Sequence, residues 1–100
     1  MLKPRTLLID DIRNLDADVI VRNFREGILQ LEYNGPWDLL LLDHDLASFT
    51  LDGMEQNGYH IMCFLEQNPE YLPGQIVCVS DNPVGKKRIN QVIEKLYGNF

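Results

Sequence analysis

Three short apolar runs, each ending in a polar residue, constrain the fold of this chain more than any other feature. They occupy residues 5–10 (RTLLID), 37–43 (WDLLLLD) and 75–80 (QIVCVS). Runs of this length that do not alternate with polar residues are typical of strands that are buried on both faces, as in parallel sheets. We therefore expect three principal strands in the core of the domain.

Helical patterns separate these strands. Apolar residues recur at spacings of three and four in residues 23–33, 59–67 and 83–97, which places them on one face of a helix. Strands that alternate with helices indicate an α/β domain. We expect a small three-layer sandwich around a mostly parallel, four-stranded sheet, formed by residues 1–100 as a single domain.

The fourth strand is predicted at residues 17–22 (ADVIVR), which are rich in β-branched residues. Only residues 11–16 separate this strand from Asp10, whereas parallel neighbours usually need a connection of roughly a dozen residues or more. The sequence therefore leaves the direction of this strand open. The connection over residues 44–57 is also unusual, because structureless loops of that length are uncommon and often serve as functional lids.

Composition disfavours several classes of protein. Nine Lys and Arg against fifteen Asp and Glu give a net charge of −6, which is the wrong sign for broad contact with duplex nucleic acid. No apolar run approaches the ~18 residues of a membrane span, and the N-terminus lacks a signal-peptide core. Cys63 and Cys78 lie among apolar neighbours without metal-ligand spacing. We expect buried thiols and a cytoplasmic protein.

Acidic residues stand at the ends of two predicted strands. Asp10 and Asp11 follow the first run and Asp43 ends the second, and open parallel sheets bind ligands beyond the carboxyl ends of their strands. A lone Asp there is usually a turn former or a helix cap. A cluster from two strands instead favours metal or phosphate chemistry, with Mg²⁺ or Mn²⁺ held by the three carboxylates. Protonation of one carboxyl is the alternative.

His44 and Asp45 directly follow the central acid Asp43. A histidine beside acids acts as a general acid or base, as a ligand or as a hydrogen-bonding strut, and the sequence leaves these roles open. Asp45 alone would serve as a turn cap. In the catalytic interpretation, Asp45 orients His44, which activates water or protonates a leaving oxygen beside Asp43.

The last helix begins in an unusual way. Asn82 is a good N-cap and Pro83 suits the first helical position. Cations nevertheless crowd the first turns, where the helix dipole disfavours them, and Gly85 costs roughly 1 kcal/mol relative to alanine. An anion docked at the helix start would explain both features. The residues predicted to bind this phosphate are Ser80, Asn82, the Gly85 N–H, Lys86 and Arg13. Alternatively, the lysines form a solvated face and Gly85 packs closely against a neighbouring strand.

The acid pair, the central acid and the hydroxyl of Ser80 resemble a response-regulator receiver domain. That resemblance implies Mg²⁺ at Asp10, Asp11 and Asp43, with Asp43 as a phosphoryl acceptor and Ser80 as the switch hydroxyl. The chain departs from a true receiver in three ways. The first helix and the fifth strand with its lysine are missing, and a His-Asp pair follows the central acid.

A closer resemblance is to the cyclic-phosphate processing receiver domain. The matching motifs are DD-x-R at residues 10–13, VR at 21–22, LDHDL at 42–46, GYH at 58–60 and S-x-N-P-V-G at 80–85. His60 stands where an acidic residue is expected. The resemblance implies a truncated receiver-like, flavodoxin-like topology and a substrate class of cyclic or otherwise phosphorylated nucleotides.

These observations predict divalent-metal-dependent recognition or hydrolysis of a phosphate-containing small molecule, with a cyclic nucleotide or cyclic phosphate as the favoured class. The first alternative is a signalling receiver that is phosphorylated on Asp43. The second is a non-catalytic module that binds a nucleotide, a protein partner or a second copy of itself. Neither a membrane nor duplex nucleic acid is expected as a partner.

Overall fold

The structure is a computed structural model that describes residues 3–98. The central sheet in this range consists of β1 (Thr6–Ile9), β2 (Val19–Val21), β3 (Leu39–Leu42) and β6 (Gln75–Cys78). A small hairpin is formed by β4 (Ser48–Phe49) and β5 (Glu55–Gln56). The helices are α1 (Phe24–Tyr33), α2 (Gly58–Gln67) and α3 (Pro83–Ile93), with a 3-10 turn at Pro69–Tyr71 and a π-helical turn at Glu94–Gly98.

The sheet order is β2-β1-β3-β6, and every neighbouring pair is parallel. In register, Leu8 of β1 lies beside Ile20 of β2 on one side and Leu41 of β3 on the other. The predicted α/β class and the parallel four-stranded sheet are therefore confirmed, and β2 runs in the same direction as β1. The predicted loop at residues 44–57 contains the β4–β5 hairpin, which is antiparallel.

The connection between β1 and β2 crosses between parallel strands without a helix. The Arg22 guanidinium holds it at the β1 end, where Nη1 donates to the carbonyls of Asp10 at 3.1 Å and Arg13 at 2.5 Å. At the other end Asp18 N–H donates to the Thr6 carbonyl at 2.9 Å, and Thr6 N–H donates to Asp18 Oδ2 at 2.7 Å. The Arg22 contacts satisfy carbonyls of the connection that a crossover helix would have paired internally, and the Asp18 contacts join the end of the connection to β1.

The hydrophobic core lies on one face of the sheet. Alternate residues of a strand point to the same face of the sheet. The strand residues on one face pack against buried residues of α1, α2 and α3. The strand and helix members of this core include Leu7, Ile9, Leu40, Leu42, Ile76, Cys78, Leu31, Ile61, Met62, Leu65 and Ile89. Because parallel crossovers are right-handed, residues 10–18 run over the opposite face. This connection, which contains no helix, therefore lies where the third layer of the predicted sandwich was expected.

The start of α2 explains why a histidine replaces the expected acid at position 60. Asn57 Oδ1 accepts the N–H groups of Tyr59 at 2.9 Å and His60 at 3.4 Å. His60 Nδ1 in turn accepts the Asn57 N–H at 3.0 Å. This reciprocal pair is a capping box, in which the third residue is usually Glu or Gln. His60 therefore stabilises the helix start in place of an acidic side chain.

Both cysteines are free thiols. Cys78 is buried and Cys63 is partly buried, so the predicted burial is complete only for Cys78. Burial raises the pKa of the Cys78 thiol, which disfavours its reactive thiolate form. Among residues 3–98, none of the helices has the length and apolar character that crossing a bilayer requires.

Candidate functional site

Three carboxylates meet at the carboxyl ends of β1 and β3. Asp10 and Asp43 directly follow these adjacent strands, and the Asp43 N–H extends the ladder by donating to the Ile9 carbonyl at 2.9 Å. One oxygen from each of Asp10, Asp11 and Asp43 lies within 4.8 Å of the others. Asp10 is 0% exposed and Asp43 is 4% exposed. The structure thus brings together the three acids that the sequence singled out, and it buries two of them.

Arg13 lies inside this acidic cluster. Its Nη1 is 3.0 Å from Asp10 Oδ2 and 3.5 Å from Asp43 Oδ1, while its Nη2 is 2.5 Å from Asp81 Oδ2. The sequence predicted Arg13 as a phosphate-binding residue, whereas Asp81 was not among the predicted site residues. The available indication for Asp81 was its place beside Ser80, just beyond the end of β6. In this structure the guanidinium neutralises part of the cluster's negative charge.

The pKa values of the two buried acids move in opposite directions. Burial acts to raise the pKa of Asp10, but hydrogen bonds to its carboxylate outweigh burial, so the net shift is downward. The donors to Oδ1 are the N–H groups of Arg13 at 2.9 Å and Ile12 at 3.0 Å. Burial raises the pKa of Asp43, and the nearby charge of Asp10 raises it further. Asp43 is therefore the member of the pair that holds a proton more readily.

This raised pKa predicts that Asp43→Asn stabilises the metal-free protein at neutral pH. An aspartate that binds its proton more tightly in the folded state makes stability fall as pH rises from the unfolded-state pKa through the folded-state pKa. Removing the charge should therefore raise the unfolding free energy at pH 7 by on the order of 1 kcal/mol. The gain should vanish below the ordinary pKa of aspartate, about 3.9.

Urea unfolding in EDTA between pH 3.5 and 7.5 measures this effect. Asp16→Asn is the matched control, because the Asp16 side chain is 89% exposed and its substitution should change stability by less than about 0.5 kcal/mol. If Asp43→Asn were less stable than wild type at pH 7, the pairing of Asp43 with Arg13 would outweigh its burial.

Ser80 and Asn82 connect the acids to the start of α3. The buried Ser80 hydroxyl lies beside the Asp43 carboxylate, where it acts to lower the pKa of Asp43, and it accepts the Asn82 N–H at 3.1 Å. Asn82 is the N-cap of α3, where its Oδ1 accepts the Gly85 N–H at 3.0 Å. Its Nδ2 lies 3.4 Å from both carboxylate oxygens of Asp45. A single network therefore spans the ends of β3 and β6 and the first turn of α3.

The buried His44 is oriented by its neighbour and packs under α3. Its Nδ1 lies 3.0 Å from Asp45 Oδ1, the contact expected of a carboxylate that orients an imidazole. A Cβ added to Gly85 would lie 2.3 Å from His44 Cγ. Gly85 was explained either by a docked anion or by close packing against a strand. The structure supports close packing, but the group that Gly85 packs against is the His44 ring and not a strand.

The predicted phosphate-binding residues differ in how accessible they are. Ser80 is buried in the network, and the Gly85 N–H already donates to Asn82. Lys86 is exposed on the first turn of α3. The Lys86 side chain is therefore accessible to an anion at the start of α3, whereas the Gly85 N–H would have to exchange its present acceptor.

The donor set fits a hard divalent cation. Carboxylate oxygens are the ligands that Mg²⁺ and Mn²⁺ prefer, and the cluster contains no thiol or imidazole ligand among the described residues. Asp10 Oδ1 is occupied by two backbone N–H groups. Asp10 Oδ2, Asp11 and Asp43 are thus the groups that would hold such an ion.

A parallel sheet with an acid pair after its first strand, an acid after β3 and a hydroxyl after β6 defines a receiver-like domain. Residues 5–95 match the family model described as the cyclic-phosphate processing receiver domain. The chain belongs to this family, as its motifs indicated. No curated protein and no solved structure matches the chain.

Proposed function

We propose that this domain recognises or hydrolyses a phosphate ester of a small molecule with the help of a divalent cation. A cyclic nucleotide or cyclic phosphate is the class to test first, because the family is described by the processing of cyclic phosphates. The observation that carries the proposal is the buried carboxylate cluster next to the Ser80 hydroxyl and the start of α3. A cation site beside an anion site suits phosphoryl chemistry.

Asp10, Asp11 and Asp43 are the proposed metal ligands. A bound Mg²⁺ or Mn²⁺ supplies positive charge that polarises a phosphoryl oxygen. The carboxylates contribute rigidity as well as charge, because Asp10 is fixed by two backbone N–H groups and Asp43 by the His44 N–H at 2.9 Å. Fixed ligands require little reorganisation when the substrate binds.

His44 is the proposed general acid or base, oriented by Asp45. The Asp45 contact at Nδ1 directs proton transfer to Nε2, which makes no side-chain hydrogen bond within residues 3–98. His44 would take a proton from water or give one to the leaving oxygen. Its burial against Gly85 holds the ring in one orientation.

The phosphate would be held by groups at the start of α3. Ser80 and Asn82 offer polar side chains, Lys86 offers an exposed ammonium, and the helix N-terminus favours an anion. The segment that contains the β4–β5 hairpin begins and ends next to this site, because the Gly58 N–H at its end donates to the carbonyl of His44 at its start, at 2.8 Å. We propose that the hairpin covers the bound ligand.

The decisive experiment combines binding with turnover. Mg²⁺ is titrated by calorimetry, a panel of 2′,3′- and 3′,5′-cyclic nucleotides is then added, and products are followed by phosphorus NMR. If His44 transfers a proton, His44→Gln should lose roughly 10²- to 10⁴-fold in turnover while it keeps ligand affinity. His60→Gln is the matched control, because glutamine also completes a capping box.

If a cyclic nucleotide binds tightly but is not hydrolysed, the domain recognises its ligand, and the hydrolysis part of the proposal is wrong. Equal loss in His44→Gln and His60→Gln would contradict the assigned role of His44. If Mg²⁺ left the amide resonances of Asp10 and Asp43 unmoved and the panel did not bind, the proposal would be wrong and an interaction module would remain.

The contact between Ser80 and Asp43 supports a second candidate, a receiver that signals through phosphorylation of Asp43. Incubation with acetyl phosphate and Mg²⁺ followed by intact-mass measurement tests it. A labile phosphoryl adduct on the wild-type protein that is lost in Asp43→Asn would favour signalling. The absence of any adduct would favour action on a small molecule.

A further inference from the structure

The Arg13 guanidinium spans three carboxylates that differ sharply in exposure. The side chains of Asp10 and Asp43 are 0% and 6% exposed, whereas that of Asp81 is 97% exposed. One amino group of Arg13 points inward to the buried pair, and the other points outward to Asp81. Arg13 therefore bridges the interior of the site and its mouth.

We propose that Arg13 is an exchangeable counter-ion, and that Asp81 is the residue that positions it. In the metal-free protein the guanidinium neutralises Asp10 and Asp43. When those carboxylates bind a divalent cation, Arg13 turns out of the cluster, stays paired with Asp81 and presents its freed amino group to the phosphate. This inference rests on the proposed function, because it concerns the same cation and phosphate.

Arg13 occupies the one oxygen of Asp10 that a cation would need. Asp10 Oδ1 accepts two backbone N–H groups, so Oδ2 is its remaining oxygen, and Arg13 Nη1 lies 3.0 Å from it. The same Nη1 is 3.5 Å from Asp43 Oδ1, which also accepts the His44 N–H at 2.9 Å. A guanidinium and a divalent cation on the same oxygens would repel each other strongly at this depth. Metal binding and the inward position of Arg13 should therefore exclude one another.

The rest of residue 13 is held in place, so the exchange involves the side chain alone. The Arg13 backbone N–H donates to Asp10 Oδ1 at 2.9 Å, and its carbonyl accepts from Arg22 at 2.5 Å. Neither contact involves Asp10 Oδ2, the oxygen that the guanidinium would leave. Outside the cluster, the planar guanidinium suits bidentate contact with a phosphate. The exposed pair with Asp81 adds little stability but restricts where the guanidinium goes.

The test measures Mg²⁺ affinity by calorimetry, without any turnover assay. Arg13→Gln and Arg13→Ala should bind Mg²⁺ about tenfold more tightly than wild type, because the state in which Arg13 blocks the carboxylates no longer competes with the metal-binding state. In the presence of saturating Mg²⁺, the same variants should bind inorganic phosphate about tenfold more weakly. Asp81→Asn should weaken both affinities by a few fold, because Arg13 loses its outer partner. Arg88→Ala is the control and should change neither, because Arg88 lies over the Tyr59 ring.

A second readout uses the wild-type protein and does not depend on variant folding. The Nε–Hε resonance of Arg13 should shift on Mg²⁺ addition, while that of Arg88 should not. If wild type binds Mg²⁺ and the Arg13 variants bind it no more tightly, the inference fails and the proposed function stands. If only the variants bind Mg²⁺, the counter-ion role is supported and the metal role in the wild-type protein is wrong. If none binds, both are overturned.

Discussion

Gly58→Ala is expected to lose roughly 3 kcal/mol of unfolding free energy, although alanine is the better helix former. A Cβ at this position would lie 2.1 Å from the Asp43 carbonyl oxygen, 2.9 Å from its carbonyl carbon and 3.0 Å from His44 Cα. These are backbone atoms, so no side-chain rotation relieves the contact. Gly-to-Ala changes in helices otherwise gain up to about 1 kcal/mol, so the opposite sign identifies the clash.

Urea denaturation measures the loss, and a drop of about 12 °C or more in Tm should accompany it. Lys87→Ala is the control on a helix surface and should stay within about 0.5 kcal/mol of wild type. Because the clash displaces the backbone of a proposed metal ligand, Mg²⁺ affinity should fall as well. A Gly58→Ala protein as stable as wild type would mean that α2 can shift away from β3 at little cost.

Gly85→Ala should cost about 2 kcal/mol for a different reason. Its Cβ would lie 2.3 Å from Cγ, 2.5 Å from Cδ2 and 2.7 Å from Nδ1 of His44. The obstacle is a side chain, but the ring is buried and is held by Asp45 at 3.0 Å. The substitution should therefore push His44 away from Asp45. It should impair the proposed proton transfer without altering the carboxylate cluster.

A double-mutant cycle isolates this contact. His44→Ala removes the ring atoms that the new Cβ would meet, so Gly85→Ala in that background should cost less than about 0.5 kcal/mol. The coupling free energy from urea unfolding of the four proteins should then lie between about 1.5 and 2 kcal/mol. Additive effects would show that Gly85 is required for something other than packing against His44. Preserved phosphate affinity in Gly85→Ala would further disfavour a direct ligand contact.

Local pattern predicted much of the architecture. The apolar runs became β1, β3 and β6, and the spacing of three and four became the helices. The convergence of Asp10 and Asp43 also followed from the pattern, because parallel strands in register end at the same edge of the sheet. The cap of α3 was predictable from Asn82 and Pro83, since capping depends on residues within one turn.

Other features depend on residues that are distant in sequence. The direction of β2 was open because a connection without a helix needs Arg22 to bind the carbonyls of the preceding loop. Asp81 was missed because it acts through Arg13, which lies 68 positions earlier. The hairpin within residues 44–57 was missed because its strands contain only two residues each.

The α/β alternation and the acids at the strand ends follow from local sequence, since periodicity and strand termini are properties of neighbouring residues. How those acids are neutralised and why position 85 is glycine depend instead on the packed fold. The Arg13 pairs and the contact of Gly85 with the His44 ring join separate strands, loops and helices. Such contacts form when the elements pack. Packing decides which charged groups are buried next to each other and where a side chain has no room.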